Sequence, residues 1–169
     1  MAGILMVASL VEQRPLARQR NMPGSPGLAD GPYVLTILQR PADVDSAQRV
    51  AEFGFDSHVA GHAKWVVPDP QDYLDFFALG LGAAVMLTGP GGLQEVTTYL
   101  GPPCLTSRSL PERPITIEGG TTLLSGANPQ EVIAAVTAAL DRESPGGKLP
   151  ELWDSRAAGR IASVVGNLA

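Results

Sequence analysis

The residues with the clearest chemical potential lie in one glycine-rich stretch, TGPGGLQE, at positions 88–95. The apolar run Val85–Leu87 precedes it, as expected of a strand covered on both faces. Apolar residues at helical spacing follow it. A glycine turn between a parallel strand and a helix presents backbone N–H groups at the positive end of the helix dipole. The pattern predicts an anion site at Gly91 and Gly92, most often for phosphate; a tight turn without a ligand is the alternative.

Polar side chains on the other predicted loops extend this candidate site. Ligands of parallel sheets bind outside the carboxyl ends of the strands. The loops predicted there are Gln39–Asp45, Pro68–Tyr73, Gly89–Glu95 and Ser107–Pro114. They supply the candidate site residues Gln39, Arg40, Gly91, Gly92, Gln94, Glu95, Glu112 and Arg113. Arg113 suits a phosphate because a guanidinium can donate two parallel hydrogen bonds. The alternative for Arg113 is a surface ion pair with Glu112 or Glu118.

The elements that must position these residues alternate between strands and helices. The predicted strands are Tyr33–Leu38, Lys64–Val67, Ala83–Thr88, Cys104–Thr106 and Thr121–Leu124. The predicted helices run from Asp45 or Ser46 to about Phe53, over Gln71–Leu81, over 93–100, over Pro129–Leu140 with Asn128 as cap, and from Asp154 to about Asn167. Such alternation predicts an α/β fold with a parallel sheet.

The N-terminal segment and the domain boundary are less regular. Met1–Leu10 fits a short helix or strand, and Val11–Gly31 has the composition of a flexible arm. We therefore expect an arm over 1–31, partly flexible, and a single ordered domain over 32–169.

Composition excludes several classes of protein. The net charge of −5 and the lack of any basic run disfavour nucleic acid as a partner. The single cysteine, Cys104, excludes an internal disulfide and a cysteine-based zinc cluster, and its expected role is that of a small core residue. The apolar stretch Gly3–Leu10 is too short to span a bilayer and follows no basic region. These features predict a soluble, cytoplasmic protein without membrane contact.

Histidines and aromatic residues offer two further possibilities. His58 and His62 are spaced for one helix face, but no third ligand is evident, so we expect neither a metal site nor a cofactor. Most aromatic residues of the predicted helix 71–81 belong to the core. Tyr73 and Phe76, near its start, are candidates to face a ligand.

Five stretches in order carry a resemblance to a known family. They are YVLTILQRPADVD (33–45), DYLDFF (72–77), TGPGGLQE (88–95), PERPITIEGG (111–120) and LWDSRAAGRI (152–161). From Pro32 to the C-terminus the chain resembles the C-terminal half of the non-hydrolysing UDP-N-acetylglucosamine 2-epimerases. Those enzymes have two Rossmann-like domains in the GT-B arrangement, with the nucleotide sugar in the cleft. The resemblance implies a single Rossmann-like domain here, with helices on both faces of the sheet.

The departures from that family bear on activity. The family's N-terminal domain, which holds several catalytic carboxylates, has no counterpart in these residues. Gln39 stands where the family has a histidine, and Gly89-Pro90 replaces Asp-Ser, whose hydroxyl is a phosphate ligand in the family. Val96 replaces the glutamate that holds the ribose. The family's positions are retained at Gly91, Gly92, Gln94, Glu95, Glu112 and Arg113.

Three functional hypotheses follow. The first is a binding or regulatory module for a nucleotide sugar, diphosphate or other small anion, without 2-epimerase activity of its own. The second is a repurposed enzyme, or one half of a two-chain enzyme, with Glu95, Glu112, Asp43 or a histidine as acid or base. The third is a scaffold whose former cleft face is a protein interface. Because that face was built to meet another domain, we expect a homodimer or a partner protein to cover it.

Overall fold

The computed structural model describes residues 3–20, 31–37, 62, 64–107, 110, 112–126, 128–141 and 148–167. Three predicted site residues, Gln39, Arg40 and Asp43, lie outside the described residues. The helix predicted from Asp45 or Ser46 to Phe53 also lies outside them, as does His58.

A parallel sheet forms the centre of the described part of the chain. Its strands are β1 (Val34–Ile37), β2 (Val85–Thr88), β3 (Cys104–Thr106) and β4 (Thr122–Leu124), in the order β1-β2-β3-β4. All three pairings are parallel, and the register places Met86 beside Cys104 and Cys104 beside Thr122. The predicted α/β class with a parallel sheet is confirmed.

Six helices are present among the described residues. They are α1 (Met6–Arg18), α2 (Tyr73–Gly82), α3 (Gly91–Leu100), α4 (Pro114–Glu118), α5 (Pro129–Leu140) and α6 (Ala157–Gly166). Local sequence accounts for their ends. The Asp72 side chain caps α2 by accepting from the Asp75 N–H at 2.8 Å, and Asn128 caps α5 through the Gln130 N–H at 2.9 Å. Gly101, at φ 110°, ends α3 in a left-handed conformation that favours glycine.

Helices cover both faces of the sheet. Successive strand residues point to opposite faces, so Val85 and Met86 face different layers. On one face Val85 and Leu105 pack with Ala139 of α5. On the other, Met86 lies near Gly80 of α2, within 3.8 Å of where a Cβ atom there would be. Parallel strands that helices cover on both faces consist mainly of apolar residues, as β2 does here.

The N-terminal helix differs from its prediction. The helix-or-strand segment is a helix, and it continues to Arg18, through residues that the composition assigned to the arm. Leu10 and Ala17 are buried in a cluster with Phe77 and Leu100, so α1 packs on α2 and α3. The seven-residue spacing of Leu10 and Ala17 places them on one helix face, and burial of that face stabilises a segment of weak local preference.

The predicted strand Lys64–Val67 was wrong. Lys64 lies in a turn, and residues 65–67 belong to no helix or strand and pair with none of the described strands. Trp65 and Val67 are 55% and 65% exposed. A strand needs a hydrogen-bonding neighbour, and a four-residue β-branched or aromatic run cannot supply one. The loop Pro68–Tyr73 therefore does not follow a strand.

Two helix starts also differ from the sequence pattern. A short helix, α4, begins at Pro114, directly after the loop Ser107–Pro114, where no helix was expected. The last helix begins at Ala157, with Arg156 at the N-cap position that the sequence pattern assigned to Asp154. Asp154 Oδ1 accepts from the Arg156 N–H at 3.0 Å and thus closes the turn before the helix. In the described part of the chain, no helix is long and apolar enough to cross a membrane.

Candidate functional site

The first turn of α3 forms the centre of the candidate site. β2 ends at Thr88, and Pro90 occupies the N-cap position in an extended conformation without a side-chain hydrogen bond to the helix. Gly91 and Gly92 are the first two helical residues, and the first turn of α3 contains no acidic residue. The predicted strand, glycine turn and helix are confirmed. The backbone donors of this turn are available to an anion because the capping residue does not satisfy them.

Glu112 approaches this turn from the loop before α4. A Cβ atom at Gly91 would lie 2.6 Å from both Cδ and Oε1 of the Glu112 carboxylate. The third of its three nearest atoms, at 2.9 Å, is Cγ of the same side chain. Because Gly91 has only a hydrogen atom in place of a side chain, the carboxylate can lie close to the backbone at the positive end of the helix. At Gly92, by contrast, an added Cβ would meet nothing within 4 Å.

Arg113 joins the site through an ion pair that the sequence did not predict. Its Nε–H donates to Glu95 Oε1 at 3.0 Å, with 47% of the arginine and 15% of the glutamate side chain exposed. The alternative partners expected from sequence, Glu112 and Glu118, are therefore not the ones observed in this bond. Arg113 caps α4 and Glu95 lies on α3, so tertiary packing creates the pair.

Gln94 lies one turn into α3 and points inward. It is 0% exposed, and among the described residues its Nε2 and Oε1 atoms make no hydrogen bond. Its backbone carbonyl accepts from the hydroxyls of Thr97 at 3.0 Å and Thr98 at 2.8 Å. The structure thus places Gln94 between α3 and the interior, not at the surface beside Gly92.

Buried hydroxyls line the same edge of the sheet, and the sequence did not mark them as site residues. Thr88 ends β2, Thr106 ends β3, and Ser125 follows β4. Each hydroxyl is buried and, within the described part of the chain, makes no hydrogen bond. The signal in the sequence was a threonine as the last residue of two neighbouring strands. Polar groups buried without partners deserve notice at a site because they are uncommon elsewhere.

The two aromatic candidates lie on α2. Tyr73 is 54% exposed, and its ring stacks on Phe77 with centroids 6.0 Å apart, while Phe76 is half-buried. Partial burial raises the pKa of the Tyr73 phenol above its ordinary value, so it remains a neutral hydrogen-bonding group. Since α2 leads directly into β2 and runs back along it, its start lies toward the carboxyl edge of the sheet. Tyr73 thus remains a candidate for a ligand that extends beyond α3.

The remaining titratable side chains in the described part of the chain provide neither a metal site nor a reactive thiol. No three His, Cys, Asp or Glu side chains within the described ranges lie close enough to hold a metal ion. Burial raises the pKa of the Cys104 thiol, which is 0% exposed, so the expected role of Cys104 as a core residue is confirmed. The site is therefore built from backbone N–H groups, one guanidinium, two carboxylates and buried hydroxyls.

Together the sheet and site define a class of protein. A parallel sheet covered by helices on both faces, with a glycine turn that opens a helix at its carboxyl edge, is a Rossmann-like α/β domain. A sequence model described as UDP-N-acetylglucosamine 2-epimerase matches residues 28–166. The chain belongs to the UDP-N-acetylglucosamine 2-epimerase family, which confirms the resemblance carried by its five motifs.

Proteins named UDP-N-acetylglucosamine 2-epimerase match parts of the chain. The UDP-N-acetylglucosamine 2-epimerase of Methanocaldococcus jannaschii is 35% identical over 96 residues, 57% of this chain and 26% of the relative. The Yersinia pestis enzyme of the same name is 43% identical over 79 residues, 47% of this chain and 21% of the relative. The aligned part is thus about a quarter of each full-length enzyme.

Solved structures share the fold over nearly the whole chain. The M. jannaschii UDP-GlcNAc 2-epimerase in complex with UDP-GlcNAc and UDP gives a TM-score of 0.80 at 24% identity, covering 99% of this chain and 54% of that one. The S. aureus MnaA–UDP structure gives 0.79 at 19% identity, with 54% of that chain covered. The chain therefore has the fold of about half of these enzymes, and spans about half of their length.

Proposed function

We propose that the chain is a nucleotide-sugar-binding domain that lacks 2-epimerase activity of its own. The diphosphate would bind at the start of α3, against the backbone N–H groups of Gly91 and Gly92, with Arg113 as the cationic partner. The observation that carries this proposal is the uncapped glycine turn beside a guanidinium, in a domain of a family whose structural neighbours hold UDP or UDP-GlcNAc.

The ligand-facing residues are proposed with different roles. Gln94 is too deeply buried to touch a ligand without movement, so we assign it to the support of the α3 turn. Tyr73 and Phe76 would face the base or the sugar. Gln39 and Arg40, which follow β1 in the sequence, would also contribute, as the motif they replace does in the family.

The absence of activity is proposed from the composition of the site. Glu95 already pairs with Arg113, and Glu112 lies against Gly91, so each carboxylate has a local electrostatic role. In the alternative of a repurposed enzyme, Asp43 would be an acid or base. Removal and return of a proton at a sugar carbon needs several positioned acid and base groups. The motif histidine, the natural proton carrier at neutral pH, is Gln39 in this chain.

Calorimetry of the purified chain with UDP and UDP-N-acetylglucosamine tests binding. Arg113→Ala removes a partly exposed charge-assisted contact, and we expect the dissociation constant for UDP to rise about tenfold. Arg18→Ala, which removes an exposed arginine at the end of α1, is the matched control and should leave it unchanged. No heat with either nucleotide would disprove nucleotide binding. Equal affinity of the Arg113→Ala and unchanged proteins would disprove the site assignment.

A second candidate function is one half of a two-chain nucleotide-sugar enzyme. The apolar side chains of Val164 and Val165 on α6, 61% and 59% exposed, offer surface for a partner protein or a second copy. Light scattering that gives only the 17.6 kDa monomer mass at high concentration would contradict self-association.

A free buried thiol fits a reducing compartment, so we place the protein in the cytoplasm.

A further inference from the structure

The carboxylate of Glu112 lies beside the first residue of α3, next to the turn where we propose that a ligand anion binds. Its Cδ and Oε1 atoms lie against the first helical residue, 2.6 Å from where a side chain at Gly91 would begin. The helix offers no competing acid of its own, since its first turn contains none and Pro90 provides no side-chain cap. A negative group at this position is stabilised by the helix dipole. Glu112 therefore serves α3 as an internal anion.

We propose that Glu112 competes with ligand anions for the start of α3, so that a bound diphosphate must displace its carboxylate. This inference rests on the proposed anion site at Gly91 and Gly92. A phosphate oxygen and the Glu112 carboxylate cannot share the space beside Gly91, and the two negative charges would repel each other there.

The structure also shows how displacement could occur without unfolding the loop. Glu112 lies at the protein surface, so a ligand anion would displace its side chain toward water. The neighbouring residue, Arg113, is held separately by the hydrogen bond from its Nε–H to Glu95 at 3.0 Å, which does not involve Glu112. Displacement then exchanges a carboxylate for a ligand anion while the guanidinium stays in place. Glu112 acts as a regulatory residue of the site and Glu95 as a positioning residue for Arg113.

Binding of pyrophosphate and of UDP to Glu112→Gln tests the competition. The glutamine keeps the shape of the side chain and removes its charge. Loss of a surface charge at a helix start corresponds to a change of about two- to fivefold in affinity, so we expect both ligands to bind that much more tightly. Glu151→Gln removes an equal charge from an exposed position in the loop before α6 and should leave both affinities unchanged.

The two ligands separate the possible failures. Tighter pyrophosphate binding by Glu112→Gln with no UDP binding would support the competition and overturn the nucleotide proposal. Unchanged or weaker binding of both ligands by Glu112→Gln would overturn the competition alone, and weaker binding would make Glu112 a ligand contact. No binding of either ligand to either protein would overturn both proposals. Amide spectra of the ligand-free proteins provide a second measurement, in which Glu112→Gln must shift the Gly91 resonance.

Discussion

Replacement of Gly91 and Gly92 by alanine is expected to have different effects on stability, although the two glycines are neighbours. Alanine reduces the freedom of the unfolded chain and stabilises a compatible helical position by about 0.4–1 kcal/mol. Gly92 is compatible, since an added Cβ would meet nothing within 4 Å. We therefore expect Gly92→Ala to raise the free energy of unfolding by about that amount.

At Gly91 the same substitution has a steric cost. The new Cβ would lie 2.6 Å from the Glu112 carboxyl group, which must swing away because it is the flexible end of a side chain. Removing a charge from a helix start costs about 0.3–1 kcal/mol, which cancels most of the gain. The free energy of unfolding of Gly91→Ala should thus stay close to that of the unchanged protein.

Urea unfolding measures the difference between the two variants. Trp153 is 8% exposed, so its fluorescence changes on unfolding, and linear extrapolation gives each free energy. The Glu112→Ala background is the control, because there Gly91→Ala should stabilise as much as Gly92→Ala does. Equal stabilisation by both substitutions in the unchanged background would refute the contact between Glu112 and Gly91.

Two further predictions concern positions outside the site. Gly120→Ala should destabilise by about 1–3 kcal/mol, since its Cβ would lie 2.4 Å from the Thr116 backbone carbonyl, while Gly119→Ala, with contacts no closer than 3.7 Å, should have a small effect. Thermal unfolding checks this, and equal melting temperatures would contradict it. Hydrogen bonds from Arg160 and the Arg156 N–H hold the pKa of Asp154 well below its ordinary value. Because its folded-state pKa is lowered, the Asp154 carboxylate stabilises the folded protein above about pH 4, and this stabilisation is lost on acidification. Asp154→Asn should therefore reduce the loss of stability between pH 5 and pH 2, which urea unfolding at each pH measures. A pH profile that the substitution leaves unchanged would contradict this prediction.

Elements with strong local cues were predictable from sequence. Helix α5 has the predicted bounds, Pro129–Leu140, because an asparagine cap, a proline at the first position and apolar spacing all agree. The short buried strand Cys104–Thr106 was also predicted, since its flanking glycine and prolines delimit it. The turn at Gly91 and Gly92 was predicted because its glycines lie between an apolar run and apolar residues at helical spacing.

Features that depend on distant contacts were not predictable. Within the described part of the chain, the strand expected over Lys64–Val67 finds no pairing partner. Helix α1 extends to Arg18 because it can bury Leu10 and Ala17 against other helices. Within the site, the residues were named but their contacts were not. Glu95 and Arg113 are 18 positions apart, and only packing of α3 beside α4 brings them together. Spacing along a chain does not reveal such pairs.

The buried hydroxyls at the carboxyl edge of the sheet have a consequence for rigidity. A buried polar group without a partner lowers the free energy of unfolding by on the order of 1–3 kcal/mol. Within the described part of the chain, Thr88 and Thr106 each carry such a group, at the ends of two neighbouring strands. Valine would keep their shape and remove the penalty. The chain thus forgoes stability at the edge of the sheet that carries the proposed site, and local opening there should cost less free energy than elsewhere in the core.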